Sequence, residues 1–209
     1  MAVTMTLLYS PLSPFARKVL VLLHATGQTD RVKLQLVQPA PTQPVAELNA
    51  NNPAGKIPAL ILADGSVLHD SRVILDYLDQ QHSGTPLIPR SGPQRWQRLT
   101  LASLADAIMD AAVLMRYESF LRPEALRWDV WLDGQGQKIE RALQQFEHLA
   151  TGAELSQQLD IATIGLGCAL GYLDLRQPDL AWRQRHPALA DWYAGFSQQP
   201  ALLATQPQA

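Results

Sequence analysis

Residues 83–93, SGTPLIPRSGP, divide the chain into two lengths whose hydrophobic periods differ, so no single repeating pattern describes both. Before them, short strand-like and helix-like segments alternate. Residues 4–9 form a brief apolar run that stops at Ser10-Pro11. From Pro14 to about Gly27, the residues Phe15, Val19, Leu22 and Leu23 recur at helical spacing. In residues 32–37, Val32, Leu34 and Leu36 alternate with Lys33 and Gln35, which predicts a strand. Residues 58–62 predict a second strand, Asp64-Gly65 a tight turn and residues 66–68 the returning strand. Asp70-Ser71 then opens a helix to about Gln81, with Val73, Ile74, Tyr77 and Leu78 on one face. Beyond residue 93 every segment reads as helix: 94–121, 129–150 with a bend near Gly134 and Gly136, an apolar and buried 160–175, and 187–197. The expectation is an α/β domain over residues 1–82, a linker over 83–93 and an all-helical domain over 94–209.

Composition narrows the function classes. The 209 residues suffice for two modest cores, and 47% hydrophobic against 17% charged residues is the balance of a folded chain. The formal net charge is −2 and the lysines and arginines are scattered, so nucleic acid is not an expected partner. The start, MAVTMTLLYSPLSPFARK, lacks a basic stretch before an apolar core, and no apolar run approaches the roughly 18 residues that span a bilayer. No membrane partner is expected, and the expected setting is cytoplasmic. The single cysteine, Cys168, excludes an internal disulfide and a multi-cysteine cluster, and no two histidines stand at ligand spacing, so no metal is expected. Cys168 itself falls in an apolar helix, as an inert core residue does.

Three short segments carry chemistry. In Ser13-Pro14-Phe15-Ala16-Arg17-Lys18, Ser13 suits an N-cap and Pro14 the first helical position. An ordinary helix start needs no more. A hydroxyl at a helix N-terminus is also placed to donate to a thiolate and lower that thiol's pKa. In Asn52-Pro53-Ala54-Gly55-Lys56-Ile57-Pro58, an Ile-Pro pair entering a strand is a candidate cis peptide, with a plain loop-to-strand proline as the alternative. The Ile57 main chain would then be left to pair with an extended peptide ligand. In His69-Asp70-Ser71-Arg72-Val73-Ile74, Ser71 reads as a helix N-cap whose surroundings also suit a carboxylate, with Asp70 suited to an amine.

In order and spacing these segments, with Ile74-Leu75-Asp76-Tyr77-Leu78 after them and helices to the end, resemble the cytosolic glutathione S-transferase superfamily, in a bacterial, serine-type form. The resemblance implies a thioredoxin-like glutathione-binding domain followed by a helical bundle. It implies that Ser13 activates the glutathione thiol, with Tyr9 and Ser10 as rivals. Lys56, Ile57 and Pro58, with Asp70 and Ser71, would bind glutathione as cosubstrate, and Asp106 would reach the glutathione of a partner subunit. Serine rather than cysteine at the first segment implies conjugation, isomerisation or peroxide chemistry in place of a mixed disulfide. The implied activity is thiol attack on a small electrophile by a homodimer. A glutathione-transferase-like binding or regulatory protein, or a glutathione-dependent isomerase or peroxidase, is the alternative. Asp160 resembles the family's buried helix-start aspartate, and Gln157 in place of an upstream hydroxyl predicts a broken or shifted capping box.

Overall fold

The computed structural model describes residues 5–207. Thr4, the expected start of the first strand, and the last two residues of the expected helical domain lie outside them. The chain divides into two compact units, one of residues up to Ile88 together with those from Pro200 onward, the other of Pro89–Gln199.

In the first unit the order is β1 (Met5–Tyr9), α1 (Pro14–Ala25), β2 (Val32–Leu36), α2 (Ala46–Asn51), β3 (Ala59–Ile61), β4 (Val67–Leu68) and α3 (Ser71–Asp79). The strands make one sheet in the order β2-β1-β3-β4, with β1 and β2 parallel and the other pairs antiparallel. This is the expected thioredoxin-like layout, with α2 added. Six residues containing three Asn or Glu and one buried side chain, Leu48, leave too weak a period to reveal that helix. Leu8, Leu48, Val37 and Ala59 form one cluster on the sheet. Leu7, turned to the other face by the strand's two-residue period, is equally buried, as are Val19, Leu22, Ile74, Leu75 and Leu78.

Two patterns differ from the sequence reading. Leu34 and Leu36 are 45% and 57% exposed, because β2 is the edge strand and only Val32 turns fully inward. On α3 the buried positions are Ser71, Ile74, Leu75, Leu78 and Asp79, whereas Val73 is exposed. The expected linker is partly structure: Asp79, fully buried, accepts from the Leu87 and Ile88 N–H groups at 2.7 and 3.1 Å, and Ile88 is buried.

The second unit holds α4 (Gly92–Phe120), α5 (Asp129–Thr151), α6 (Ile161–Arg176), α7 (Trp182–Arg185) and α8 (Pro187–Phe196). α6 is apolar on every side and sits between its neighbours. Gly165 lets α4 approach closely: a Cβ there would lie 3.3 Å from Ala105 Cβ. Gly134 and Gly136 lie inside α5, which continues through them. The capping box at α6 is intact and runs forward: Asp160 Oδ1 accepts from the Thr163 N–H at 3.0 Å, and the Asp160 N–H donates to Thr163 Oγ1 at 2.9 Å. Gln157 does not enter it, and Arg98 pairs with Asp160 Oδ2 at 3.2 Å. Cys168 is fully buried.

The last helix, α9 (Pro200–Ala204), packs against α1, and the buried Arg17 donates from Nη2 to the Leu202 carbonyl at 3.2 Å. Residues 200–207 therefore belong with the first unit, although their sequence reads as a continuation of the helical one.

Candidate functional site

The register of the sheet gathers the three segments. Leu8 stands opposite Ala59, and Leu60 opposite Leu68. The residues after Tyr9, those before Ala59 and those after Leu68 therefore all emerge at one end of the sheet. α1 and α3 also begin there, so both helices turn their N-terminal N–H groups and positive dipole ends toward the same edge.

Ser13 is the N-cap of α1. Its backbone is extended and its Oγ accepts from the Ala16 N–H at 3.2 Å, with Pro14 buried in the first turn. The cap occupies a lone pair of the hydroxyl and leaves its proton to be donated outward. Tyr9 ends β1 opposite Leu36, with its carbonyl taking the Val37 N–H at 2.8 Å. Ser10 turns the chain: its carbonyl accepts from the Ser13 N–H at 3.0 Å, and its Oγ accepts from the Leu12 N–H at 3.4 Å. Of these three hydroxyls, only Ser13 is at the helix N-terminus.

The Ile57–Pro58 peptide is cis, as the sequence suggests. Ile57 precedes the paired register, which begins at Ala59, and among the described residues no backbone group takes its N–H or C=O. The turn before it is fixed by Asn52, which is buried. Its Nδ2 donates to the Lys56 carbonyl at 2.7 Å and its Oδ1 accepts from the Ala54 N–H at 3.1 Å. Gly55, at φ +63°, closes this turn where a Cβ would also strike Asn49 Oδ1 at 2.9 Å. Lys56 is exposed.

At the third segment Asp70, not Ser71, is the N-cap of α3. Asp70 Oδ1 accepts from the Arg72 N–H at 2.9 Å, and Oδ2 pairs with the Arg72 guanidinium at 3.2 Å. With Asp70 as the cap, Ser71 falls in the first helical position. Ser71 is buried, its hydroxyl has no hydrogen-bond partner among the described residues, and it is not sealed from solvent. Sequence reading passed over Asn52 and Arg72, whose roles are to hold a turn and a cap; an Asn three residues before a Gly is the one signal that marks the first.

Asp106 lies in α4 of the helical unit, is buried and is not without a partner. Among the described residues no group of three or more His, Cys, Asp or Glu could hold a metal, and no helix is long and apolar enough to cross a membrane.

A four-stranded mixed sheet flanked by helices, with a cis-proline beside two helix N-termini and a helical unit following, defines a thioredoxin-like fold of the glutathione-transferase type. The chain belongs to the glutathione S-transferase family: the family's N-terminal domain matches residues 7–86 and its C-terminal domain residues 129–195. It is similar, at 61% identity and a TM-score of 0.96, to a glutathione transferase family member of Pseudomonas fluorescens Pf-5 crystallised with bound glutathione, over 99% of this chain and 100% of that one. A structure from the same strain with bound S-(propanoic acid)-glutathione is 59% identical, with a TM-score of 0.91 over 98% of this chain and 100% of that one. The uncharacterized GST-like protein YibF of Escherichia coli K12 is 29% identical over 97% of this chain and 98% of its own length.

Proposed function

We propose that the protein is a glutathione transferase of the serine type, in which the Ser13 hydroxyl donates to the glutathione thiolate and the thiolate attacks a small electrophile. The observation that carries this reading is the gathering of Ser13, Ile57 and Ser71 at one end of the sheet, beside two helix N-termini. Each has a group suited to one part of glutathione. Ser13 keeps a hydroxyl proton for the sulfur, Ile57 keeps its main-chain N–H and C=O for the cysteinyl backbone, and Ser71 keeps a hydroxyl for the γ-glutamyl carboxylate. Asp70 is assigned to the γ-glutamyl amine and Lys56 to the glycyl carboxylate. A related protein holding an S-substituted glutathione supports conjugation as the reaction.

The chemistry needs no redox partner. Glutathione loses its thiol proton to solvent, the sulfur forms a bond to the electrophilic carbon, and the electron pair leaves with a departing group or is protonated there. Donation from Ser13 and the dipole of α1 both favour the anion, so the bound thiol is expected to ionise below the ordinary value of about 8.5. The reading also includes a homodimer in the cytoplasm, with Asp106 directed to the partner's glutathione.

Two variants test it. Ser13→Ala should cut kcat/KM toward a haloarene by about a hundredfold and return the thiolate absorbance of the complex to that of a free thiol. Because the same residue caps α1, this variant also loses about 1 kcal/mol of stability, whereas Ser13→Gly loses only a few tenths. Equal loss of activity in both assigns the effect to the hydroxyl. Full activity in either would transfer the role to Tyr9 or Ser10, and absence of glutathione binding in the wild type would overturn the reading.

A further inference from the structure

Asn52 commits its main chain and its side chain alike to the turn that presents Ile57. Its N–H donates to the Leu48 carbonyl at 2.7 Å, and its carbonyl accepts from the Gly55 N–H at 2.8 Å. Its Oδ1 accepts from the Ala54 N–H at 3.1 Å, and its Nδ2 donates to the Lys56 carbonyl at 2.7 Å. The residue is 2% exposed. A main-chain N–H can only donate and a carbonyl can only accept, so these two partners allow the side-chain amide one orientation. Leu48 belongs to the cluster with Leu8, Val37 and Ala59, which ties the turn to the packed sheet.

The Lys56 carbonyl and the Ile57 N–H belong to one peptide unit. Among the described residues the cis peptides are Ile57–Pro58 and His69–Asp70, so this unit is trans. Its C=O and N–H therefore point in opposite directions within one plane. Holding the carbonyl toward Asn52 turns the Ile57 N–H away from Asn52, where it has no hydrogen-bond partner among the described residues. Rotating that plane would break the 2.7 Å bond and leave a buried amide proton unpaired.

We propose that Asn52 is a positioning residue for recognition of the thiol substrate: through the Lys56–Ile57 peptide it aims the Ile57 N–H at the cysteinyl carbonyl of the ligand. This rests on the glutathione reading and deepens it, because Asn52 acts through Ile57 rather than by contact. A donor whose direction is set before the ligand arrives needs no reordering on binding. The arrangement also sets a requirement on the ligand. Its thiol-bearing residue must carry a carbonyl, and a thiol without one gains nothing from Asn52.

The test is calorimetric titration of the full chain with glutathione and with γ-glutamylcysteamine, which keeps the γ-glutamyl group and the thiol but lacks the cysteinyl carbonyl and the glycine. Asn52→Asp keeps the acceptor for Ala54 and loses the donor to Lys56. Asn52→Ser also keeps an acceptor, and its side chain is too short to reach the Lys56 carbonyl. Both variants should bind glutathione about tenfold more weakly than wild type and γ-glutamylcysteamine within about twofold of it. The comparison of ligands separates positioning from general loosening, which would weaken both alike. Should the buried charge of Asn52→Asp prevent folding, the neutral Asn52→Ser carries the test. The proposal is overturned if the folded variants keep wild-type affinity for glutathione, or if they lose affinity for both ligands equally. A wild type that binds no glutathione overturns the functional reading itself, and this inference with it.

Discussion

At the residue scale, the third segment shows how a local competition sets function apart from stability. Two side chains in sequence, Asp70 and Ser71, are both good caps, and only one can hold the Arg72 N–H. Asp70 takes it and gains the Arg72 guanidinium besides. Ser71 thereby keeps a hydroxyl with no hydrogen-bond partner among the described residues while its body is buried, as the proposed glutathione site requires. The two roles should separate on mutation. Asp70→Ala should lower stability in urea by about 1 kcal/mol. Ser71→Ala should leave stability within about 0.5 kcal/mol but weaken glutathione binding by about tenfold in calorimetry. Equal destabilisation by both would mean that Ser71 shares the cap. That a helix starts near Asp70 was legible from the residue types. Which of the pair caps it was not, because that depends on backbone angles no residue type specifies.

At the element scale, the turn from α4 to α5 is held by one buried carboxylate. Glu118 accepts from Arg122 and from the Trp128 N–H, so it joins the last turn of α4 to the start of α5. Arg122 holds the Glu118 carboxyl below its ordinary value of 4.5, helped by the Trp128 N–H and by Arg127, against a smaller upward push from burial. The sign follows directly. A carboxyl whose folded pKa is depressed contributes stability above 4.5, and the contribution disappears as pH falls through the folded value. Glu118→Gln should therefore unfold at lower urea than wild type at pH 7, and the gap between the two midpoints should narrow steadily as pH falls below 4.5. A gap that persists in acid would show that packing, not charge, is what Glu118 supplies. The capping box of α6 carries a related lesson. Its Asp160 was visible in sequence, but its partner lies downstream at Thr163, and only the helix start settles the direction in which a box closes.

At the scale of the whole molecule, sequence order and spatial membership part company at the C-terminus. α9 follows the helical unit in sequence and packs with the first unit, where Leu202 is 1% exposed and its carbonyl receives Arg17. Leu202→Ala should cost about 2–5 kcal/mol and reduce amide-exchange protection along α1, as large-to-small changes in a close-packed site do. Unchanged protection there would mean that α9 is not part of that core. The division of the chain near residue 90, the four strands, the principal helices and the three motif segments were all legible in sequence, since hydrophobic period, prolines and cap residues act over a few neighbours. Short α2, the solvent-facing leucines of edge strand β2 and the membership of α9 were not, because each depends on which remote element lies alongside. The sequence by itself determined that Ser13 begins a helix, that a proline precedes β3 and that a helix follows β4. Tertiary structure alone decided that these three points meet, because the antiparallel register of β1, β3 and β4 returns the chain twice to the same end of the sheet.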